Sequence, residues 1–200
     1  KDRLYTLPAN SALRRGSQTV LLEIVTGLAT LMAPILSFTA EEIWQVLPGS
    51  TVKGSKPMSV HLADFPEATT VFQDPQLHTT WTYLFQVRSK VQSALEKSRR
   101  DKVIGSSLEA TVILHATEPN CALLKRYLTD LPALFIVSCV NVEAVASMPG
   151  AELVDATLGL AIEVVKAEGA KCDRCWNIRQ DVGFQAQHPT LCGRCVEALG

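Results

Sequence analysis

Near the C-terminus four cysteines stand as two tight pairs, Cys172-Asp173-Arg174-Cys175 and Cys192-Gly193-Arg194-Cys195, in the pattern C-x2-C-x16-C-x2-C. Each C-x2-C folds as a knuckle that directs two thiolates at one ion. Two knuckles close a tetrahedral site and leave no open position for a reacting water. The spacing therefore predicts one structural Zn2+ held by Cys172, Cys175, Cys192 and Cys195 in a reducing compartment, in preference to two disulfides. Lys171, Arg174 and Arg194 are placed to offset the negative charge of four thiolates, and Gly193 suits a tight turn in the second knuckle. Residues 171–200 carry few apolar side chains, so metal binding is expected to supply most of the folding free energy of this segment. His188 reads as a solvated loop residue because four cysteines already suffice. Cys121 and Cys139 lie in apolar stretches and read as buried thiols.

A second kind of chemistry is carried by cations. Between Arg88 and Lys102 stand Arg88, Lys90, Lys97, Arg99, Arg100 and Lys102 against Glu96 and Asp101, a local net charge of +4. The first fifteen residues carry a net +3. The whole chain is balanced at −1, so any attraction for nucleic acid must be local. Arg174, Arg179, Arg194 and Trp176 add cations and an aromatic face within the cysteine module, the combination that holds unpaired bases. Composition alone gives Trp176 a second reading, as the small core of the ribbon. No catalytic or cofactor-binding constellation stands out.

These groups need elements to position them. Apolar residues recur at helical spacing from Leu13 to Ile35 and predict a helix over 12–33, which Pro34 should kink or end. Thr39-Ala40-Glu41-Glu42 reads as a capping box opening a second helix, with Phe38 and Ile43 as its hydrophobic staple and Pro48-Gly49 as its stop. Residues 49–73 read as an extended connection. Asp74-Pro75 caps a third helix running to Arg100, with Leu77, Trp81, Leu84, Phe85, Arg88, Val91 and Leu95 along its inner edge. The three helices read as antiparallel members of a bundle. After Gly105 the period changes to two. Leu108, Ala110, Val112 and Leu114 mark a half-buried strand, followed by a helix over 119–131 and strands over 134–142 and 158–165. The fold class expected is multi-part α+β: a helical bundle over 1–104, a small β-α-β-β unit over 105–168 and a zinc ribbon over 169–200.

Hydrophobic residues make up 47% of the 200 residues and charged residues 20%, an ordinary balance for a globular chain. No apolar run reaches the roughly 18 residues of a membrane span. The longest greasy stretch, 20–36, is broken by Glu23, Thr26, Gly27, Thr30 and Pro34. The chain opens Lys-Asp-Arg-Leu-Tyr without an initiator Met and is read as a piece of something longer.

Several stretches together resemble the C-terminal region of bacterial isoleucyl-tRNA synthetase, a class I aminoacyl-tRNA synthetase. They are Asp2-Arg3-Leu4-Tyr5, the run from Met32 to Trp44, Val60-His61-Leu62 through Phe65-Pro66, and Val87-Arg88 to Leu95-Glu96. The likeness continues in Ile104 to Ala110 and in the tail from Lys171-Cys172 to Cys195. Residues 33–44 look like the anticodon-binding bundle shared by several class I synthetases. Arg174-Cys175-Trp176, Gln180-Asp181-Val182-Gly183 and Cys192-Gly193-Arg194-Cys195 are particular to the isoleucine enzyme. The resemblance implies a parent that activates isoleucine with ATP and transfers it to tRNA, a monomer of the cytoplasm. It implies that this piece, lacking the catalytic and editing centres, binds the anticodon stem-loop of isoleucine tRNA. Neither His-x-Gly-His nor Lys-Met-Ser-Lys-Ser occurs here, and Lys56-Pro57-Met58-Ser59 reads as loop. On this resemblance Arg99, Arg100 and Lys102 contact the RNA backbone, while Arg174, Trp176 and Arg194 face the anticodon. Two rivals remain: a DNA-repair glycosylase of the formamidopyrimidine type, which ends in a related four-cysteine finger, and a stand-alone RNA-binding protein.

Overall fold

The computed structural model describes residues 2–49, 56–146, 153–155 and 157–199. It is a mixture of helices and small sheets whose packing divides into two units, Lys1–Gln73 and Asp74–Gly200.

The first unit holds α1 (Asp2–Tyr5), α2 (Ala12–Met32) and α3 (Ser37–Val46), followed by a 3-10 turn at Val60–Leu62. Its core is built from Ala29, Ala33, Ala40, Trp44, Leu47 and Val60. The Trp44 indole Nε1 donates to the Pro57 carbonyl at 2.9 Å, which satisfies the polar edge of a buried ring. Lys56 caps the end of α3: its Nζ donates to the Trp44 and Leu47 carbonyls and lies 5.5 Å from the indole centroid.

The expected capping box is not formed. The chain leaves α2 through a tight turn in which the Ile35 and Leu36 amides both donate to Met32 O. Helix α3 therefore opens at Ser37, with Leu36 in the N-cap position and no side-chain cap. Thr39 and Glu42 lie inside the helix, and Phe38, 89% exposed, cannot staple it. The carboxylate that captures backbone is Glu41, which accepts from the Val60 amide at 2.9 Å and from Ser59 Oγ at 2.8 Å. Helix α2 matches its expected span, yet Val20, Leu21, Ile24, Leu28 and Leu31 are all exposed.

The second unit starts with α4 (Pro75–Arg100), capped by the Asp74 carboxylate accepting from Leu77 N at 2.9 Å. Its buried residues are Leu84, Val87, Val91, Ala94, Leu95 and Ser98. All but Ser98 belong to one apolar cluster with the sheet, so this helix covers a sheet face. Periodicity locates an inner stripe but does not say whether a helix or a sheet lies opposite, and the stripe is rotated accordingly. Val87 and Ala94 face inward, while Leu77 and Phe85 are exposed. The helix ends where Lys102 adopts φ +60° and the Val103 amide donates to Ser98 O, a left-handed cap on a lysine.

A 3-10 turn (Ser107–Glu109) leads into β1 (Ala110–Ala116), α5 (Asn120–Arg126), α6 (Leu131–Phe135), β2 (Cys139–Ala144), β3 (Leu153–Asp155) and β4 (Leu160–Lys166). The sheet order is β2-β1-β4-β3, with β1 parallel to β2 and antiparallel to β4. Of the strand expected over 134–142 the first two residues are helical: α6 carries Pro132 in its first turn, Phe135 is buried from it, and Ile136 at φ +62° turns the chain into β2. The edge strand β3 was not anticipated. It is too short, at three residues, to show a period. Alternation in β1 is as expected: Ala110, Val112, Leu114 and Ala116 are fully buried, while Thr111, Ile113 and His115 line the other, half-open face. There His115 lies between Glu143 (Nδ1, 3.2 Å) and Glu163 (Nε2, 3.4 Å).

The chain closes with the two-stranded ribbon β5 (Ala170–Lys171) and β6 (Ile178–Arg179), then α7 (Gly193–Glu197). Among the described residues no helix is long and apolar enough to cross a membrane.

Candidate metal centre and nucleic-acid surface

The short hairpin of β5 and β6, with Ala170 opposite Arg179 and Lys171 opposite Ile178, holds the first knuckle at its tip. Cys172 N donates to Asn177 O across the hairpin, and Trp176 N donates back to Cys172 O at 2.8 Å. To close this loop Trp176 takes φ +66°, a conformation in which a bulky residue is rare. The second knuckle runs into α7, where Cys195 N and Val196 N both donate to Cys192 O. Gly193 serves here through close approach, not through its dihedrals. Its N–H donates to Asp181 Oδ2 at 3.0 Å, and a Cβ would lie 2.9 Å from that oxygen.

These turns bring the sulfurs of Cys172, Cys175, Cys192 and Cys195 within 4.8 Å of one another. Sulfurs at ~2.3 Å from a common centre lie about 3.8 Å apart at tetrahedral geometry. Cys175 and Cys192 stand at 3.8 Å, far beyond a disulfide, and all six cysteines are free thiols. Cys172, Cys192 and Cys195 are fully buried and Cys175 is half-buried. The Cys192 amide also donates to Cys172 Sγ at 3.3 Å, the kind of bond that stabilises a thiolate. Burial raises the Cys172 thiol, but backbone donors from Cys175, Cys192 and Arg174 outweigh it and bring it to about 6. Burial pushes Cys192 up to about 12 and raises Cys175 as well. Four thiols this close cannot all ionise unless a cation takes up the charge, so the donor set fits a thiophilic divalent ion such as zinc.

The other expected site residues fall into two groups. Arg99, Arg100 and Lys102 come together at the C-terminal end of α4, where cations also complement the helix dipole. Arg99 is already engaged: its guanidinium pairs with Glu96 and donates to Ser107 Oγ at 3.0 Å. Arg100 and Lys102 are exposed. Upstream, Arg88 Nε donates to Leu134 O at 3.1 Å and Lys90 pairs with Asp155 at 2.9 Å, so part of the basic run is structural. In the ribbon Arg174 and Arg194 are half-buried beside the knuckles. Trp176 is 61% exposed, with Lys171 Nζ 5.3 Å from its ring centroid. It is therefore not the core of the ribbon. That role is taken by the buried cysteines with Val182 and Leu191.

Two residues have roles that the sequence reading does not assign. Asp181 pairs with Arg179 Nε at 3.5 Å through one oxygen and holds Gly193 through the other. Ser138, almost fully buried, accepts from the Ile178 amide at 2.7 Å and donates to Leu108 O, pinning the ribbon to the sheet. No spacing rule announces a serine that bonds forty positions away. Cys139, expected to be buried, is exposed, because it opens β2 on the half-open face.

Two family models match the chain. One, described as the anticodon-binding domain of tRNA ligase, covers residues 1–114. The other, a zinc finger found in FPG and IleRS, covers residues 169–198. The finger match and the clustered sulfurs together support a structural zinc. Similar curated proteins include the isoleucine–tRNA ligases of Desulforamulus reducens (42% identical over 199 residues) and Dichelobacter nodosus (43% over 198). That of Symbiobacterium thermophilum is 46% identical over 201 residues. These alignments cover 98–100% of this chain but only 20–21% of each relative, so the chain spans about a fifth of their length. A glycosylase is not favoured, because the match ahead of the finger is to a tRNA-ligase domain. With its first 114 residues matched in this way and its finger in place behind them, the chain belongs to the anticodon-binding domain family of tRNA ligases.

Proposed function

We propose that this chain is the tRNA-binding portion of an isoleucine–tRNA ligase and grips the anticodon stem-loop of isoleucine tRNA. The observation that carries the reading is one chain in which an anticodon-binding domain precedes a four-sulfur site of zinc dimensions. Cys172, Cys175, Cys192 and Cys195 are the zinc ligands, and the ion acts as a structural clamp. Exposed Arg100 and Lys102, with Arg99 behind them, meet the RNA backbone. Arg174, Trp176 and Arg194 face the anticodon, with Trp176 as a stacking surface held out by its left-handed backbone. The parent ligase activates isoleucine with ATP in portions outside these residues, as a cytoplasmic monomer.

Charge reversal tests the cationic group. Arg100→Glu with Lys102→Glu should weaken tRNA binding and lower the salt slope by about 0.7–0.9 for each phosphate no longer neutralised. Arg99→Glu should in addition destabilise the α4 terminus, since it breaks the bond to Ser107. An unchanged salt slope in the double variant contradicts the assignment.

A further inference from the structure

On the half-open face of the sheet the β5–β6 ribbon is joined to the start of β2 by the bond from the Ile178 amide to Ser138 Oγ. Between the two lies a cleft of about 600 Å³, within the ~300–1,000 Å³ of small-ligand sites. We propose that this cleft receives one unpaired nucleotide of the bound RNA, base first. The inference rests on the tRNA-binding reading and adds to it a pocket that none of the residues assigned above lines.

The lining decides the chemistry. Ile113 and Val165 on the sheet and Ile178 on the ribbon give aliphatic surface for the faces of a ring. Asn141 and Gln180 bring amides, and Thr111 brings a hydroxyl, which can meet either donors or acceptors on a base edge. Two cations, Lys166 and Arg179, are balanced by two carboxylates, Glu168 and Asp181. Such a lining is no phosphate cradle, and its mixture of donors and acceptors is too polar for a purely aliphatic guest. Asp181 Oδ1 is buried and, among the described residues, accepts no hydrogen bond; its nearest cation is Arg179 Nε at 3.5 Å. That oxygen is closed off and held by its ion pair, so it is the rest of the lining that meets a base. Unpaired loop bases are the part of a tRNA that can be splayed into a pocket and read on their edges.

The walls are fixed before binding. The Ser138 hydroxyl joins Ile178 of the ribbon to Leu108 ahead of β1, and the Ala167 amide donates to Glu109 O at 2.7 Å. Asp181 is held by the Gly193 amide in the second knuckle. The metal centre thus supports one wall of the cleft.

Cys139 lines this cleft and is exposed, whereas Cys121 is buried. It is therefore a built-in reporter in the zinc-loaded protein. N-ethylmaleimide modification of Cys139 is followed by mass spectrometry while isoleucine tRNA binding is followed separately by fluorescence anisotropy. RNA at about ten times its Kd should slow the modification about tenfold, following 1 + [RNA]/Kd. An anticodon stem-loop made abasic at one loop position should still bind but lose this protection. Replacing Asn141→Leu together with Gln180→Leu should weaken binding with zinc content unchanged. Binding that leaves Cys139 as reactive as before overturns the proposal, as does wild-type affinity in a zinc-loaded, folded double variant. Absence of any RNA binding would overturn the tRNA-binding reading itself, and the cleft assignment with it.

Discussion

Ser138→Ala removes one oxygen from the seam between sheet and ribbon. In the native structure that oxygen accepts from the Ile178 amide at 2.7 Å and donates to the Leu108 carbonyl, on a residue only 5% exposed. The backbone of Ser138 stays bonded through its own N–H to Ala110 O at 3.1 Å, so β2 itself should hold. The loss falls on two backbone groups left without a partner. A buried donor or acceptor so stranded costs about 1–3 kcal/mol. The adjoining cleft lets water reach Ile178, which places the expected cost at the lower end, about 1–2 kcal/mol. Near 1.4 kcal/mol this is a tenfold shift in local opening. Hydrogen exchange of the Ile178 amide in the zinc-loaded protein should therefore accelerate about tenfold, while amides in α4 change little. Urea unfolding followed by tryptophan fluorescence measures the global cost. Unchanged exchange at Ile178, with a stability change below about 0.5 kcal/mol, the scatter of ordinary surface substitutions, would refute the claim that this serine ties the ribbon down.

Three further outcomes follow from the same geometry. Gly169 stands at φ +115° with a hypothetical Cβ 2.3 Å from Arg179 O, so Gly169→Ala should lose about 1–3 kcal/mol from dihedral strain alone, with the clash added. Wild-type ribbon stability by hydrogen exchange would contradict it. Hydrogen bonds from Gln45, Ser59 and Val60 hold the Glu41 carboxyl below the ordinary glutamate value. A lowered folded-state value means stability that is full above the unfolded value of about 4.3 and lost as pH falls through the folded one. Trp44 fluorescence should report that acid transition, and Glu41→Gln should flatten it; an identical acid profile in the variant would remove Glu41 from the account. Metal analysis should find one zinc per chain, and Cys192→Ser should release it with loss of β5–β6 protection. Full retention of zinc in that variant would sink the four-cysteine assignment.

The cysteine quartet was the most legible feature, because C-x2-C pairs restrict geometry locally and need nothing distant. The N-terminal cap of α4 was legible for the same reason: Asp74 and Pro75 act within one turn. Misreadings came where the answer lay elsewhere in the chain. Thr39 and Glu42 satisfy a capping pattern, but the turn from Met32 to Leu36 starts the helix three residues earlier. The stripe on α4 looks the same whether a helix or a sheet covers it. The run Leu134–Val142 is mostly apolar, and only Pro132 hints that its first two residues close a helix. Within the site, exposure separated Trp176 from the ribbon core, which composition could not do. Arg99 shows the converse: a residue chosen for its charge turns out to hold its own helix end.

The central claim is that the chain grips tRNA and needs its metal to do so. Its most direct test is the affinity of the zinc-loaded protein for isoleucine tRNA, with valine tRNA as competitor, before and after chelation. Preference for the isoleucine tRNA, loss of that preference when zinc is removed, and its return when zinc is restored are the expected results. Equal binding of both tRNAs, indifferent to the metal, would contradict the claim.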